Sequence, residues 1–199
     1  QIQVPSGDDD ATSNHAVTFV VYRGTMETTM TTIEESDIWR ALKDVKDPEI
    51  PTISVVDMGI IIKVDVQSPS DVTVIMTPTF TGCPAIDVMR ADVEQAVRNL
   101  GVSNVHVSVT YDTPWSTSRL TDEGRAALLR HGLALPATLP DAGTEPTSIV
   151  LSLDVLSETA CPYCGSHNTT VKSPFGPTLC RSLHYCNACL QAFEGFKPV

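Results

Sequence analysis

The stretch VTVIMTPTFTGCPAIDVMRADVEQAVRNL, residues 72–100, decides the fold of the larger part of this chain. Its first residues alternate between apolar and other side chains, which predicts a half-buried strand that ends at Pro78. An amphipathic helix is predicted next, because apolar residues recur at helical spacing and Gly101 can end the helix. The apolar stripe of this helix consists of Ile86, Met89, Val93, Val97 and Leu100. A strand followed by a helix that covers a sheet is therefore the centre of the predicted fold.

Two elements are predicted before this stretch. Ser36 can cap a helix that stops at Asp47-Pro48, because proline disfavours helical conformation in the residue before it. Residues 60–66 alternate as a strand, which predicts a hairpin with the strand at residues 72–76. The domain is therefore expected to begin with a helix and a β-hairpin.

The elements after the central helix complete one domain. Residues 105–109 alternate as a third strand, on which His106 is predicted to face solvent. A short helix is predicted from Thr121 to about His131. The order helix, strand, strand, helix, strand predicts an α+β domain over residues 33–135.

Composition divides the rest of the chain. Residues 1–32 are rich in aspartate and threonine, so we expect a disordered or non-native extension, with translation beginning at Met26 or Met30. Residues 136–157 contain several prolines and are predicted to be a linker. Residues 158–199 are predicted to form a second, small metal-binding domain of the zinc-ribbon type.

Charge and hydropathy restrict the partners and the location. The formal net charge of -11 would repel a phosphate backbone, so nucleic acid is not expected as a partner. No apolar run approaches the roughly 18 residues that suggest a membrane span, and no signal-peptide pattern is present. These features predict a cytoplasmic protein without a membrane partner.

Cys83 lies in the segment that joins the central strand to the central helix. Pro84 suits the first helical position, and Cys83 suits the cap position just before it. The partial positive charge at a helix start lowers the pKa of a thiol, and the thiolate attacks electrophiles or binds soft metals. Cys83 is therefore a candidate nucleophile or iron ligand.

From its position in the sequence alone, Cys83 could equally well have a structural role. Free cysteines often fill tight turns as small buried residues. A single thiolate also cannot hold an iron–sulfur cluster, which normally needs four protein ligands. A cluster at Cys83 would therefore be transient and would require a second chain or a shared complex.

Four cysteines near the C-terminus have the spacing of a metal site. Two C-x-x-C pairs, Cys161 with Cys164 and Cys186 with Cys189, are separated by 21 residues. Each pair places two sulfurs on one side of a tight turn, and two pairs complete a tetrahedron around Zn²⁺. A structural zinc ion would stabilise a segment too short to fold on an apolar core alone.

Three further residues of this segment could also bind metal. Cys180, His167 and His184 leave a different ligand set or an iron–sulfur cluster open as alternatives. The spacing of the four paired cysteines favours closed four-sulfur zinc, and the three additional residues are predicted to be surface or packing residues.

Three motifs of the first domain resemble a known signature. Residues 47–51 (DPEIP), 55–59 (VVDMG) and 77–84 (TPTFTGCP) are similar to the iron–sulfur cluster assembly domain found in cluster-targeting and cluster-assembly proteins. The resemblance implies that Cys83 is the functional thiol.

The remaining motifs are similar to a narrower family. The segment Pro114–Thr117, the pair Gly124-Arg125, Cys180 and residues 193–197 resemble PaaD, the family of accessory subunits of the phenylacetyl-CoA epoxidase system. The resemblance implies a non-enzymatic factor of aerobic phenylacetate degradation that matures or inserts iron–sulfur or iron centres. It also implies an iron–sulfur client, such as the reductase subunit of the epoxidase.

Four residues are candidate supporting residues for Cys83. Asp47, Glu49, Asp57 and Thr81 could position a metal or a partner near the thiol. The Asp-Pro and Asp-x-Gly contexts nevertheless favour turn and capping roles for the acidic residues.

Two other functions stay open at this point. A cysteine-dependent enzyme would need a base beside Cys83, and neither His106 nor His131 lies in a recognisable motif. A metal-stabilised docking module of the oxygenase complex would need no cluster transfer. A homodimer is compatible with each of these functions.

Overall fold

The computed structural model describes residues 33–136 and 159–197. The predicted extension at residues 1–32, with its start at Met26 or Met30, lies outside the described residues, as do residues 137–157 of the predicted linker. The predicted domain boundaries stay predictions. Among the described residues, no helix is both long and apolar enough to cross a membrane.

The first sheet and its helices have the predicted order. Its elements are α1 Glu35–Leu42, β1 Ile61–Ser68, β2 Asp71–Met76, α2 Ile86–Arg98, β3 Asn104–Val109 and α3 Asp122–Arg130. The strand order is β1-β2-β3, in which β1 pairs with β2 antiparallel and β2 pairs with β3 parallel. A parallel pair needs a crossover connection, and α2 supplies it between β2 and β3.

The second sheet contains the C-terminal residues. Its strands are β4 Leu133–Ala134, β5 Thr169–Ser173, β6 Arg181–Cys186 and β7 Ala192–Phe196, in the order β4-β7-β6-β5. β4 pairs with β7 parallel, whereas the other pairs are antiparallel. β4 directly follows α3, so the chain contributes to the second sheet before it reaches the paired cysteines.

Two helix boundaries differ from the predictions. α1 is capped by Glu34 and not by Ser36, because the Glu34 N–H donates to the Asp37 carboxylate at 3.1 Å. α1 also ends at Leu42, before Asp47, because Lys46 leaves the helix to form an antiparallel bridge with Ser54. Both corrections come from hydrogen bonds that compete with a continued helix.

The apolar stripe of α2 packs as predicted over its central part. Met89, Val93 and Val97 are buried, which confirms the helical periodicity. Leu100 lies beyond the helix end and is 38% exposed, because α2 stops at Arg98.

The last strand of the second sheet enters the core of the first domain. Phe196 belongs to the same buried cluster as Trp115 and the core residues of α1, α2 and the first sheet. The Trp115 and Phe196 rings meet edge to face at 5.7 Å, and the Trp115 indole N–H donates to the Met58 carbonyl at 2.8 Å. Trp115 therefore joins both sheets to one hydrophobic core.

Candidate functional site

The loop between β2 and α2 carries Cys83. Its start is fixed, because the Thr77 N–H donates to the Ile60 carbonyl at 2.9 Å and the Thr77 hydroxyl donates to the Thr113 carbonyl at 3.0 Å. Its tip is a tight turn in which the Gly82 and Cys83 N–H groups both donate to the Phe80 carbonyl. Gly82 and Cys83 thus lie in a hydrogen-bonded turn at the tip of the loop.

The predicted cap position of Cys83 is wrong. The N-cap residue of α2 is Ala85 and the helix begins at Ile86, so both Cys83 and Pro84 precede the helix. Cys83 is half-buried and packs against the core of the first domain. The Cys83 thiol therefore lies farther from the first residue of α2 than the sequence pattern predicts.

The predicted pKa shift of Cys83 is also wrong in direction. Burial raises the pKa of the Cys83 thiol, and the hydrogen bond from the Ala85 N–H opposes this effect without overcoming it. The charges of Asp47, Cys180 and Glu49 raise the pKa of Cys83 further. Cys83 is accordingly a protonated thiol at neutral pH, and a metal would have to displace its proton.

The acidic candidates have the turn and capping contacts that their contexts favour. The Asp47 carboxylate accepts the N–H groups of Glu49 at 2.8 Å and Ile50 at 2.9 Å. Its fixed orientation holds the loop that faces Cys83.

Asp57 anchors α3. Its carboxylate accepts the Ser54 hydroxyl at 2.6 Å and the Thr121 hydroxyl at 3.2 Å, and its carbonyl accepts the Thr121 N–H at 3.1 Å. The Thr121 hydroxyl in turn accepts the Gly124 N–H at 3.0 Å and so caps α3. Asp57 fixes the helix start, and its assistance to Cys83 stays a prediction.

Thr81 lies beside a small cavity under the Cys83 loop. The cavity has a volume of about 210 Å³ and is lined by Thr77, Pro78, Thr79, Phe80, Thr81, Tyr111, Pro114 and Trp115. Tyr111 is 56% exposed, so its ring is accessible to a partner at the edge of the cavity.

The second sheet brings Cys180 towards the Cys83 loop. A methyl group at Gly82 would lie 3.4 Å from the Leu179 Cδ1 atom, so the residues just before the two cysteines are close neighbours. Cys180 is half-buried and packs against the same core as Cys83. This packing agrees with one of the two roles predicted for Cys180, whereas the spacing of the sequence gives no signal of its proximity to Cys83.

Arg181 and Lys197 make further contacts between the C-terminal segment and the loops around Cys83. Arg181 donates to the Glu49 carbonyl at 2.8 Å and forms a 2.9 Å ion pair with Glu194. The Lys197 ammonium lies 5.4 Å from the centre of the Phe80 ring, and the Lys197 N–H donates to the Cys180 carbonyl at 2.9 Å. The second sheet thus contacts both loops that surround Cys83.

The four paired cysteines form the geometry of a metal site. Their sulfurs all lie within 4.8 Å of one another, and no other group of three or more potential ligands occurs in residues 33–136 and 159–197. Cys161 Sγ and Cys189 Sγ are 3.7 Å apart, and Cys164 Sγ and Cys186 Sγ are 3.6 Å apart. A tetrahedron with Zn–S bonds of about 2.3 Å places its sulfurs about 3.8 Å apart, so the cysteines fit zinc.

The two knuckles have matching backbone turns. The N–H of Gly165 donates to the Cys161 carbonyl, and the N–H of Leu190 donates to the Cys186 carbonyl, both at 2.9 Å. Gly165 and Leu190 both have positive φ angles, +72° and +62°. Backbone N–H groups of Cys189 and Ala188 lower the pKa of Cys186 to about 6, whereas burial and the neighbouring thiols raise the pKa of Cys189 to about 12.

His184 has a packing role, as predicted. It is 1% exposed, its ring stacks on Phe193 with centroids 5.1 Å apart, and its Nε2 atom lies 2.7 Å from the Ser182 hydroxyl. Neither His184 nor His167 belongs to the four-cysteine group. His106 is exposed on β3, as predicted.

Comparison with known families assigns both parts of the chain. Residues 35–109 match the profile described as iron–sulfur cluster assembly protein, and residues 147–197 match the profile described as PaaD zinc beta ribbon domain. The chain is 31% identical over 163 residues to a protein of Escherichia coli (strain K12) whose name is that of a 1,2-phenylacetyl-CoA epoxidase subunit, and the match covers 82% of this chain and 92% of that protein. This chain belongs to the PaaD family. The predicted α+β fold with a C-terminal zinc ribbon is confirmed, and the family match together with the sulfur geometry supports structural zinc at the four cysteines.

The PaaD-family chain also has relatives that match about half of its length. It is 40% identical over 95 residues to the "Fe-S protein maturation auxiliary factor" of Porphyromonas gingivalis (strain ATCC BAA-308 / W83), covering 47% of this chain and 90% of that protein. Among solved structures, a domain of unknown function from Bacillus anthracis is 28% identical, with a TM-score of 0.45, and covers 47% of this chain and 90% of that chain. The relatives of this chain thus include a protein named as an iron–sulfur maturation factor.

Proposed function

We propose that this chain is a non-catalytic accessory protein that delivers an iron–sulfur or iron centre to a component of a phenylacetyl-CoA epoxidase system. The observation that carries the proposal is the position of Cys83. It is a free, half-buried thiol in a hydrogen-bonded turn within the domain that matches the iron–sulfur assembly profile. The Escherichia coli relative, named for the epoxidase, supports the choice of system, because it matches both parts of the chain.

The raised pKa of Cys83 suits transient binding of this cargo. A protonated thiol does not retain a metal by itself, since iron must displace the proton before an iron–sulfur bond forms. One sulfur also supplies too few ligands for permanent storage of a cluster. A client that offers more thiolates would therefore take the cluster from Cys83.

The zinc ribbon serves as a scaffold in this proposal. Four sulfurs close the coordination shell of zinc, so the site has no open position for catalysis. When bound, zinc fixes the two knuckles of the second sheet. Arg181 and Phe196 of that sheet then hold the Glu49 loop and the core near Trp115 in place.

The reductase subunit of the epoxidase is the client that we propose. The exposed Tyr111 and the cavity lined by residues 77–81 of the Cys83 loop give a partner an apolar contact on the same loop as the thiol. A homodimer is a second way to supply additional thiols. We place the protein in the cytoplasm, where such a client would be found.

A cysteine-dependent enzyme is the less favoured function. A nucleophilic cysteine reacts as the thiolate, and enzymes lower the pKa of that thiol. Burial and the Asp47 charge shift the pKa of Cys83 in the opposite direction. The supporting roles of Asp47, Glu49, Asp57 and Thr81 are therefore structural and electrostatic in this proposal.

The test compares the metal and acid-labile sulfide contents of anaerobically purified wild type, Cys83→Ser and Cys83→Ala. The two substitutions separate the loss of the sulfur from the introduction of a buried hydroxyl. We expect zinc in all three proteins, and uptake of iron and sulfide on reconstitution in the wild type alone. Uptake that is equal in all three would refute a role for Cys83, and no uptake by any protein would favour a docking module.

A further inference from the structure

Cys180, on the turn just before β6, lies next to the loop that carries Cys83. Cys83 and Cys180 are both free, both half-buried, and both in contact with the same hydrophobic cluster. The residues that precede them, Gly82 and Leu179, are neighbours in space, since a Cβ atom added at Gly82 would lie 3.4 Å from Leu179 Cδ1. The two loops therefore present their cysteines from adjoining positions.

Several contacts hold the Cys180 segment against the Cys83 loop. The Cys180 carbonyl accepts the Lys197 N–H, and the Lys197 ammonium lies over the Phe80 ring, whose residue also forms the turn at Cys83. The neighbouring Arg181 side chain donates to the Glu49 carbonyl. The position of Cys180 is thus fixed from both sides and does not depend on a single contact.

The two thiols share one electrostatic environment. Asp47 and Glu49 lie close enough to both thiols to interact with them electrostatically, and the neighbouring Arg181 also acts on Cys180. Once the two thiols lose their protons, they and the two carboxylates carry negative charge that attracts a cation, and Arg181 and Lys197 offset part of that charge. Soft sulfur ligands then select iron or a similar thiophilic metal over magnesium or calcium.

We propose that Cys83 and Cys180 form one two-sulfur site that binds a thiophilic cation, with Fe²⁺ or the iron edge of a cluster as its cargo. The cargo assignment rests on the function proposed above. Binding of Fe²⁺ forms two iron–sulfur bonds and releases the two thiol protons to solvent, with no change in oxidation state. Further coordination positions remain for inorganic sulfide or for the thiolates of a client.

Phenylarsine oxide tests the pairing of the sulfurs without iron. The reagent condenses with two adjacent thiols, PhAsO + 2 RSH → PhAs(SR)₂ + H₂O, and it requires both sulfurs on one arsenic atom. Intact-mass analysis of the full zinc-loaded chain should show one bridged adduct in the wild type and none in Cys83→Ser or Cys180→Ser. Zinc content is measured on the same samples, because retained zinc excludes reaction at the four ribbon cysteines.

A second measurement separates the two proposals. Iron and sulfide uptake is compared in wild type, Cys83→Ser, Cys180→Ser and Cys180→Ala, with zinc content and melting temperature as checks of folding. Loss of uptake in all the variants supports both proposals. Uptake retained in both Cys180 variants but lost in Cys83→Ser overturns the two-sulfur site and leaves the proposed function standing.

The arsenical distinguishes the remaining cases. A bridged adduct in wild type without any iron uptake supports the two-sulfur site but overturns iron as its cargo, and with it the proposed function. A wild type that forms no bridged adduct, or variants that form it as readily as wild type, overturns the pairing of Cys83 with Cys180.

Discussion

Arg181 of β6 donates a 2.8 Å hydrogen bond to the main-chain carbonyl of Glu49, which lies 132 positions earlier in the sequence. The same guanidinium forms an ion pair with Glu194, and the Arg181 side chain is only 10% exposed. This contact joins the zinc-bearing sheet to the loop whose charges act on Cys83. The metal ribbon and the thiol are thus parts of one structural arrangement.

Replacement of Arg181 by methionine should weaken this arrangement. Arg181→Met leaves the Glu49 carbonyl and the Glu194 carboxylate without their partner, and loss of one member of a buried ion pair costs about 2–4 kcal/mol. Urea unfolding in the presence of zinc measures the change. Arg40→Met is the control, since the Arg40 side chain is 75% exposed and its pair with Asp37 should contribute less than about 1 kcal/mol. Equal losses in the two variants would contradict the interface role of Arg181.

Alkylation of Cys83 should report its raised pKa. Because the thiol is protonated at neutral pH, its reaction with iodoacetamide should be slower than that of free cysteine and should accelerate as the pH rises through the alkaline range. Asp47→Asn should increase the rate at pH 8, since the Asp47 charge raises the pKa of Cys83 while asparagine can still accept the Glu49 N–H. Peptide-resolved mass spectrometry separates Cys83 from Cys180. A Cys83 that reacts faster than free cysteine at neutral pH would contradict the burial effect.

The two knuckle turns should respond oppositely to substitution. Leu190 has a φ of +62° and is 69% exposed, so Leu190→Gly relieves a conformation that costs a non-glycine residue about 1–2 kcal/mol and removes little packing. Part of this gain is lost to the entropy of glycine, which leaves a stabilisation of up to about 1 kcal/mol. Gly165→Ala, at the matching position of the other knuckle, should destabilise by about 1 kcal/mol. The measurement is the thermal unfolding of zinc-loaded protein, and a lower melting temperature for Leu190→Gly would contradict the prediction.

The indole N–H of Trp115 should contribute measurably to stability. Trp115→Phe retains an aromatic ring against Phe196 but leaves the buried Met58 carbonyl without its donor, at a cost of about 1–3 kcal/mol. Trp39→Phe is the matched control, because the Trp39 N–H bonds to Glu35 at an exposed position. Chemical unfolding followed by circular dichroism avoids the fluorescence change that the substitutions cause. A cost for Trp39→Phe as large as that for Trp115→Phe would contradict the role of burial.

Short-range patterns in the sequence predicted the elements of the first domain. The alternation at residues 72–76 and the stripe of Met89, Val93 and Val97 depend on side chains a few positions apart, and both are confirmed by burial. Helix ends were predicted less well. Ser36 and Glu34 were both possible N-cap residues of α1, and residue propensities alone do not determine which of them occupies that position.

The chemistry of Cys83 could not be predicted from its neighbours in the chain. A helix start suggested a lowered pKa, but burial depends on packing by distant segments, and Asp47 and Cys180 approach the thiol only in the folded protein. The pKa is therefore raised, contrary to the local pattern.

The sequence by itself determined the periodicity of the strands and the central helix, and the spacing of Cys161, Cys164, Cys186 and Cys189, because both are encoded by residues close together along the chain. The tertiary structure alone decided the parallel pairing of β2 with β3, the addition of β4 to the second sheet, and the approach of Cys180 to the Cys83 loop. These relationships join segments far apart in sequence, and they arise from burial of a common core around Trp115 and Phe196.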